Sequence, residues 1–256
     1  MTSNTIILDL ETAYSAEDCQ HCGRAVDMHN NLTKGWSSEA QPVLHCQNGG
    51  HTTYTPLGWD NKAALGLSIG CYWDGADQRC HFFDVHMLEA TVRLCVERQP
   101  LLVSFNGIAF DFSLMRALLR QEGEHDRIQS LADASSPSRF IYLQTLCDAF
   151  KTLCTTSYDI LAEIWQVDPV RAYERGLNSL DAISQANGLG PKLSHDAQAP
   201  RDWREGRYAQ VINYCQDDVY KTKALFELIC AGRSILRGDG QPIVLRNPFP
   251  QEAHDE

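Results

Sequence analysis

The chain has 256 residues, a formal net charge of −11, and 43% hydrophobic against 21% charged residues, a globular balance that argues against disorder. Its apolar runs are only a few residues long, as at Leu101 to Val103, far short of the ~20 that span a bilayer, so no membrane partner is expected. An acidic chain repels phosphate backbones at long range, which disfavours a protein that coats nucleic acid with lysine. It leaves room for an enzyme that grips a polyanion through metal ions and a local basic stripe drawn from its 16 Arg and 6 Lys.

In chain order, Thr5 to Glu11 is an apolar, β-branched run and reads as a strand. The start lacks a basic segment, so no signal peptide is expected and the cytoplasm is the expected compartment. Residues 13 to 60 lose any helical or strand period and carry Gly, Asn, Cys and His. A structureless loop of that length is improbable inside a compact domain, so something other than a core must hold it. Ala63 to Trp73 resumes as a strand, and Cys80 to Val85 pairs with it across the turn at Asp74-Gly-Ala-Asp. Met87 to Arg98 predicts a helix, and Leu101 to Phe105 a short buried strand.

A helix follows from Phe110 to Glu122, with Gly123 as its stop and a polar connection over 124–138. Another spans Arg139 to Leu153, whereas Ser157 to Trp165 is ambiguous between strand and helix. Asn178 to Asn187 is a helix ended by Gly188, and Arg207 to Cys230 is a long amphipathic helix. Hairpin first, then helices alternating with a strand, predicts an α/β domain with a mixed sheet. It runs over residues 1–238, including the 13–60 insertion, with a Pro-rich, acidic tail at 239–256.

Four acids stand where elements end. Asp9 and Glu11 are two apart on the first strand, so they point to one face. Like charges that close raise each other's pKa, and a divalent cation resolves the conflict. Asp111 follows Asn106-Gly-Ile-Ala-Phe110 at a strand-to-helix turn, and Asp218 lies one helical turn after Tyr214. Asp217 is the nearest rival to Asp218 and reads as a surface acid.

With the flanks Leu-Asp-Leu-Glu-Thr, Ser-Phe-Asn-Gly-Ile-Ala-Phe-Asp and Tyr-Cys-Gln-Asp-Asp-Val, the chain resembles the DEDD exonuclease superfamily of the ribonuclease H-like fold. The likeness is to the branch with a catalytic tyrosine, and within it to stand-alone relatives of the proofreading domain of family B DNA polymerases. The histidine branch has His five residues before the last Asp, where this chain has Asn213; Tyr214 stands four before it. Asn178 to Lys192 also looks like the segment preceding the last motif.

The resemblance implies a mixed sheet flanked by helices, with Asp9, Glu11, Asp111 and Asp218 holding two Mg²⁺ or Mn²⁺ ions and Tyr214 positioning the attacking water. Thr12 and Asn106 are its candidates for contacting the terminal nucleotide. Two cations ~4 Å apart activate water and steady the leaving 3′ oxygen, and hard oxygen ligands favour magnesium or manganese. The implied reaction is 3′–5′ exonucleolysis of single-stranded DNA to nucleoside monophosphates, with RNA as the alternative substrate. A non-catalytic nucleic-acid-binding subunit of a replication or repair assembly, with a protein partner there, is the rival class; an interaction module is a third.

Seven of the ten cysteines sit singly in apolar surroundings and read as small buried hydrophobes. The insertion holds the other three. Cys19-Gln-His-Cys22, then Cys46 and His51, has tetrahedral zinc spacing, with His21, His29 and His45 as competing ligands. Zinc would staple a segment with too few apolar residues to fold alone, making a flap that begins directly after Glu11.

Overall fold

The computed structural model describes residues 3–21, 32–36, 42–46, 54–133, 136–172, 174, 176–193 and 198–249, with backbone alone for 32–36 and 42–46. In chain order the elements are β1 (Thr5–Thr12), β2 (Leu32–Trp36), β3 (Pro42–Cys46), α1 (Lys62–Leu65), β4 (Leu67–Asp74), β5 (Arg79–Phe83), α2 (Leu88–Arg98), β6 (Leu101–Ser104), α3 (Asp111–Ala132), α4 (Ser138–Cys154), β7 (Tyr158–Asp159), α5 (Ile160–Val167), α6 (Leu180–Ala186), α7 (Gln198–Arg204), α8 (Tyr208–Cys230), β8 (Ile235–Leu236) and β9 (Pro242–Ile243).

The main sheet has the order β5-β4-β1-β6-β7. β1 is central, antiparallel to β4 and parallel to β6, which in turn is parallel to β7. This mixed five-stranded sheet flanked by helices fits a ribonuclease H-like fold. Period-2 alternation divides β1 between two cores. Ile6, Leu8 and Leu10 pack on one face with residues of α2, α3 and α4 such as Val92, Leu114 and Phe150. On the other face Ile7 joins Cys71 and Trp73 of β4 and Val211, Cys215 and Val219 of α8.

Several expectations are corrected. Within 13–60, where no period was legible, β2 and β3 form an antiparallel pair; Gly35 and Pro42 dilute the β-propensity that would have announced it. Residues 62–65 form a helical turn rather than the start of a strand, and β4 begins after Gly66, whose φ of 62° breaks the chain direction. α3 runs through Gly123 to Ala132, replacing the expected connection. Gly123 lies where α3 packs on α4, and a Cβ on it would sit at ordinary contact distance, 3.5 Å from the Phe140 ring and 3.6 Å from Leu143. The ambiguous 157–165 segment is strand then helix, with Asp159 capping α5 through the amides of Leu161 and Ala162. α7 was not anticipated; its Pro200 falls in the first turn, which tolerates proline. Beyond Gly238, Ile243 and Leu245 are buried against the α8 core.

Candidate active site

The last parallel contact of β1 with β6 is Ile7 with Val103, so Asp9 and Glu11 extend past the end of β6. They face the turn that delivers Asp111 to the first position of α3, where a carboxylate also suits the helix dipole. That turn is tightly built. Asn106 has φ of 71°, and a Cβ on Gly107 would lie 2.4 Å from Ser104 Oγ, so this position requires glycine. From the other side α8 lies on β1, with the Cys215 thiol donating to the Asp9 carbonyl at 3.3 Å.

One cleft of about 470 Å³ is lined by Asp9, Glu11, Asp111, Tyr214 and Asp218 together with Thr12 and Asn106. All the expected residues outside the insertion are thus neighbours. Carboxylate oxygens of Asp9, Glu11 and Asp218 lie within 4.8 Å of one another; Asp111 stands outside that trio in the same cleft. Burial, then the charges of Asp218, Asp111 and Glu11, push the Asp9 carboxyl well above the usual carboxylate range. Burial and the neighbouring Asp159 push Asp111 up to about 7, against the backbone amides of Leu10 and of Asp111 itself. Burial also raises Asp218, against the pull of Lys192. Asp9 Oδ2 is buried without a hydrogen-bond partner. Converging hard oxygens with an orphaned acceptor among them fit divalent cations, and only an opposing charge makes such crowding favourable.

Sequence reasoning assigned no role to four residues here. Lys192 puts its ammonium 2.5 Å from Asp218 Oδ2. Burial works against that charge, but Asp218, Asp9 and Glu11 outweigh it and the Lys192 pKa rises. Its backbone is pinned on both sides: the amide donates to Asp181 at 2.7 Å, and the preceding Pro191 carbonyl accepts from Lys221 at 2.8 Å. Lys221 is also paired with Asp217, which corrects the reading of Asp217 as a surface acid. It is half-buried and holds the lysine that clamps this loop.

Asp159 is buried and accepts from the amides of Asn106 and Ile108, both at 2.9 Å, which fixes the turn before Asp111. Asp202, fully buried, accepts the Tyr214 hydroxyl at 3.0 Å, Gln198 at 2.9 Å and Arg207. Asp159 carried a readable signal, an acid before a helical apolar run; Asp202 carried none.

The insertion leaves and re-enters beside this cleft as a laced stem. Gln20 donates to the Thr55 carbonyl at 2.7 Å, Leu57 to Asp18 at 2.9 Å, Gly58 to Ala16 at 2.8 Å and Tyr14 to Leu65 at 2.9 Å. Arg204 of α7 ties the stem down through Asp18 at 2.5 Å. Of the expected zinc ligands, Cys19 is buried in the stem and Cys46 lies opposite Leu32 in the β2–β3 pair. Cys22 and His51, with the competing His29, lie outside the described residues. His21 contacts the Thr55 hydroxyl at 3.2 Å. No helix among the described residues is long and apolar enough to cross a membrane.

Residues 77–237 match the family model described as a predicted 3′–5′ exonuclease related to the exonuclease domain of PolB. The match covers more than half of the 256 residues, and the chain belongs to this family. Asp111, Tyr214 and Asp218 fall inside the matched stretch, whereas Asp9 and Glu11 precede it across the insertion. No curated protein and no solved structure matches the chain.

Proposed function

We propose, with membership of that family as the premise, that the chain is a divalent-metal-dependent 3′–5′ exonuclease releasing nucleoside 5′-monophosphates from single-stranded DNA. One observation carries the reading: the carboxylate oxygens of Asp9, Glu11 and Asp218 converge within 4.8 Å beside Asp111, and Asp9 Oδ2 is buried without a partner. Asp9, Glu11, Asp111 and Asp218 would hold two Mg²⁺ or Mn²⁺ ions, which when bound supply an activated water and neutralise charge on the phosphate and the leaving oxygen.

The chain's own residues do the rest. The water oxygen attacks the terminal phosphorus as the bond from that phosphorus to the 3′ oxygen of the preceding nucleotide breaks. The proton that the water gives up ends, by way of solvent, on that 3′ oxygen, and the terminal nucleotide departs as its 5′-monophosphate. Because the Tyr214 hydroxyl donates to Asp202, its oxygen lone pairs are left to accept from the attacking water and orient it. Lys192, held among the carboxylates, offers its ammonium to the non-bridging phosphate oxygens. Thr12 and Asn106, on the cleft wall, are the proposed contacts to the terminal nucleotide. The family's relation to the PolB exonuclease domain is the support for choosing DNA over RNA.

The deciding experiment is digestion of 3′- and 5′-labelled single-stranded DNA and RNA with Mg²⁺, Mn²⁺ or EDTA, beside Asp9→Ala and Asp218→Ala. Mononucleotides leaving the 3′ end only with metal, and not in either variant, are expected. Faster digestion of RNA would reassign the substrate sugar. An inert wild-type protein with both metals would overturn the reading and leave nucleic-acid binding as the role.

Zinc in the insertion is part of the same proposal. Cys19, Cys22, Cys46 and His51, spaced C-x2-C and C-x4-H along the chain, make a Cys3His set. One zinc per purified chain, lost in Cys19→Ser, is expected, and a zinc-free wild-type protein would end the idea.

A further inference from the structure

The stem brings one more group to the cleft that the chemistry above does not use. Trp59 is 55% exposed although its ring stands edge-on to Phe110, with centroids 5.8 Å apart and planes at 69°. Lys62 sits over the same Phe110 ring, its ammonium 4.4 Å from the centroid. All three line the wall of the cleft that holds the carboxylates, beside Phe105 and Asn106. An indole seated for stability alone would bury its faces, because that burial is where its hydrophobic gain lies. This one is held half in solvent by backbone that is hydrogen-bonded on both sides of it. Leu57 and Gly58 are bonded to the outgoing stem just before it, and the α1 turn that follows is bonded through Leu65 to Tyr14.

We propose that Trp59, Phe110 and Lys62 form the landing for the last unpaired bases of a single-stranded 3′ end, Trp59 stacking on a base and Lys62 meeting the phosphate beside it. The inference rests on the exonuclease reading and deepens it, because an unpaired end offers the faces of successive bases to a ring, whereas a duplex end offers only the outer face of its last pair. Charge balance favours this mode. A chain of net charge −11, with four acids at its cleft, cannot draw much affinity from backbone attraction. Stacking on an aromatic face is independent of charge and tolerant of sequence. On this wall Lys62 supplies a local cation that lets a phosphate approach, apart from Lys192 among the carboxylates. The insertion thereby acquires a purpose at the active site that needs nothing from its outer part.

The test uses the full chain and a 5′-fluorescein oligothymidylate, intact or with an abasic site at its last or last-but-one position. Affinity is read by anisotropy in EDTA, and kcat and KM are read in Mg²⁺. Trp59→Ala should weaken binding on the order of 10- to 100-fold, the worth of one base–aromatic stack. It should raise KM by a similar factor while kcat falls less than about 3-fold. Trp59→Phe should recover most of the loss. One abasic position should cost the wild-type protein as much as Trp59→Ala does, and cost the variant nothing further.

Unchanged affinity in Trp59→Ala, or the same abasic penalty in both proteins, would overturn the landing while active wild-type protein keeps the exonuclease reading intact. A lowered Tm with unchanged affinity would assign Trp59 to stability and overturn it equally. Wild-type protein that binds but never cleaves would overturn the exonuclease reading alone, the abasic comparison still deciding what Trp59 does.

Discussion

The two faces of β1 are built from the same eight residues and serve opposite ends. On the α2–α4 side Ile6, Leu8 and Leu10 are all apolar and all buried. On the α8 side the same alternation runs Ile7, Asp9, Glu11, passing from core to carboxylate within one strand. The first face gives up water and gains stability. The second buries charge beside charge, and the raised Asp9 carboxyl shows that the fold holds it against its preference. A strand can carry a stressed site because its other side is packed well enough to hold the register: a slip of one residue would exchange the faces wholesale.

Neighbouring substitutions break this comparison most sharply. Asp9→Asn should abolish cleavage, by roughly 10³-fold or more if the carboxylates organise the transition state, yet raise Tm when divalent ions are absent. The sign follows from the shift. A carboxyl whose folded pKa lies above its unfolded value costs stability wherever it is ionised, so an amide of the same shape removes that cost at neutral pH. Each kcal/mol relieved is worth roughly 2–4 °C in a chain of this size. Added Mg²⁺ should then stabilise the wild-type protein and leave the variant unmoved. Leu8→Ala, one residue away on the other face, should do the reverse, costing about 2–5 kcal/mol by leaving a cavity while the folded fraction keeps its kcat. Thermal melts with and without Mg²⁺, beside initial rates, read both. Asp9→Asn melting below wild type without metal would show that the acid face is not under stress.

A smaller effect sharpens the picture of the acid face. Asp202 touches the cleft only through Tyr214, so it is a positioning residue. Asp202→Asn should lower kcat about 10-fold with KM little changed, since the tyrosine loses its strong acceptor but the substrate wall is untouched. It should also cost about 1–3 kcal/mol of stability, because Gln198 and Arg207 lose a buried charged partner. A kcat equal to wild type at an unchanged Tm would detach Asp202 from the tyrosine's function.

Asp202 also marks where sequence reading ran out. The four acids and Tyr214 were legible because each lies on an element with its own signature: alternation on β1, a turn before α3, helical spacing on α8. Their flanks made the pattern specific enough to suggest a ribonuclease H-like sheet. The supporting residues were not legible, because they act across the fold. Asp202 meets Tyr214 from 12 residues away, Asp159 holds Asn106 from 53 away, and Arg204 ties down Asp18 from 186 away. No local period records such a pairing. Lys192 lay within a segment whose likeness was visible, but its meaning depends on a loop clamped by Lys221 and Asp181, which only the folded chain displays.

Gly123 was misread for the converse reason, a strong local signal overridden by packing. Glycine ends many helices through a left-handed residue, yet here φ stays out of that region and α3 continues beneath α4. An added Cβ would meet Phe140 and Leu143 at 3.5 and 3.6 Å, ordinary contact distances that require no neighbour to move. Gly123→Ala should therefore stabilise the protein by about 0.5–1 kcal/mol, through lost unfolded-state freedom and better helix propensity. It should leave kcat and KM unchanged, as the substitution lies on the apolar side of the sheet. Chemical denaturation with an unchanged m-value would register the gain, whereas a loss would mean that α3 and α4 need the bare backbone at this crossing. The apolar face can be improved one methyl at a time without touching catalysis, and the face with Asp9 and Glu11 cannot, because there a gain in stability comes from removing the charge that the chemistry uses.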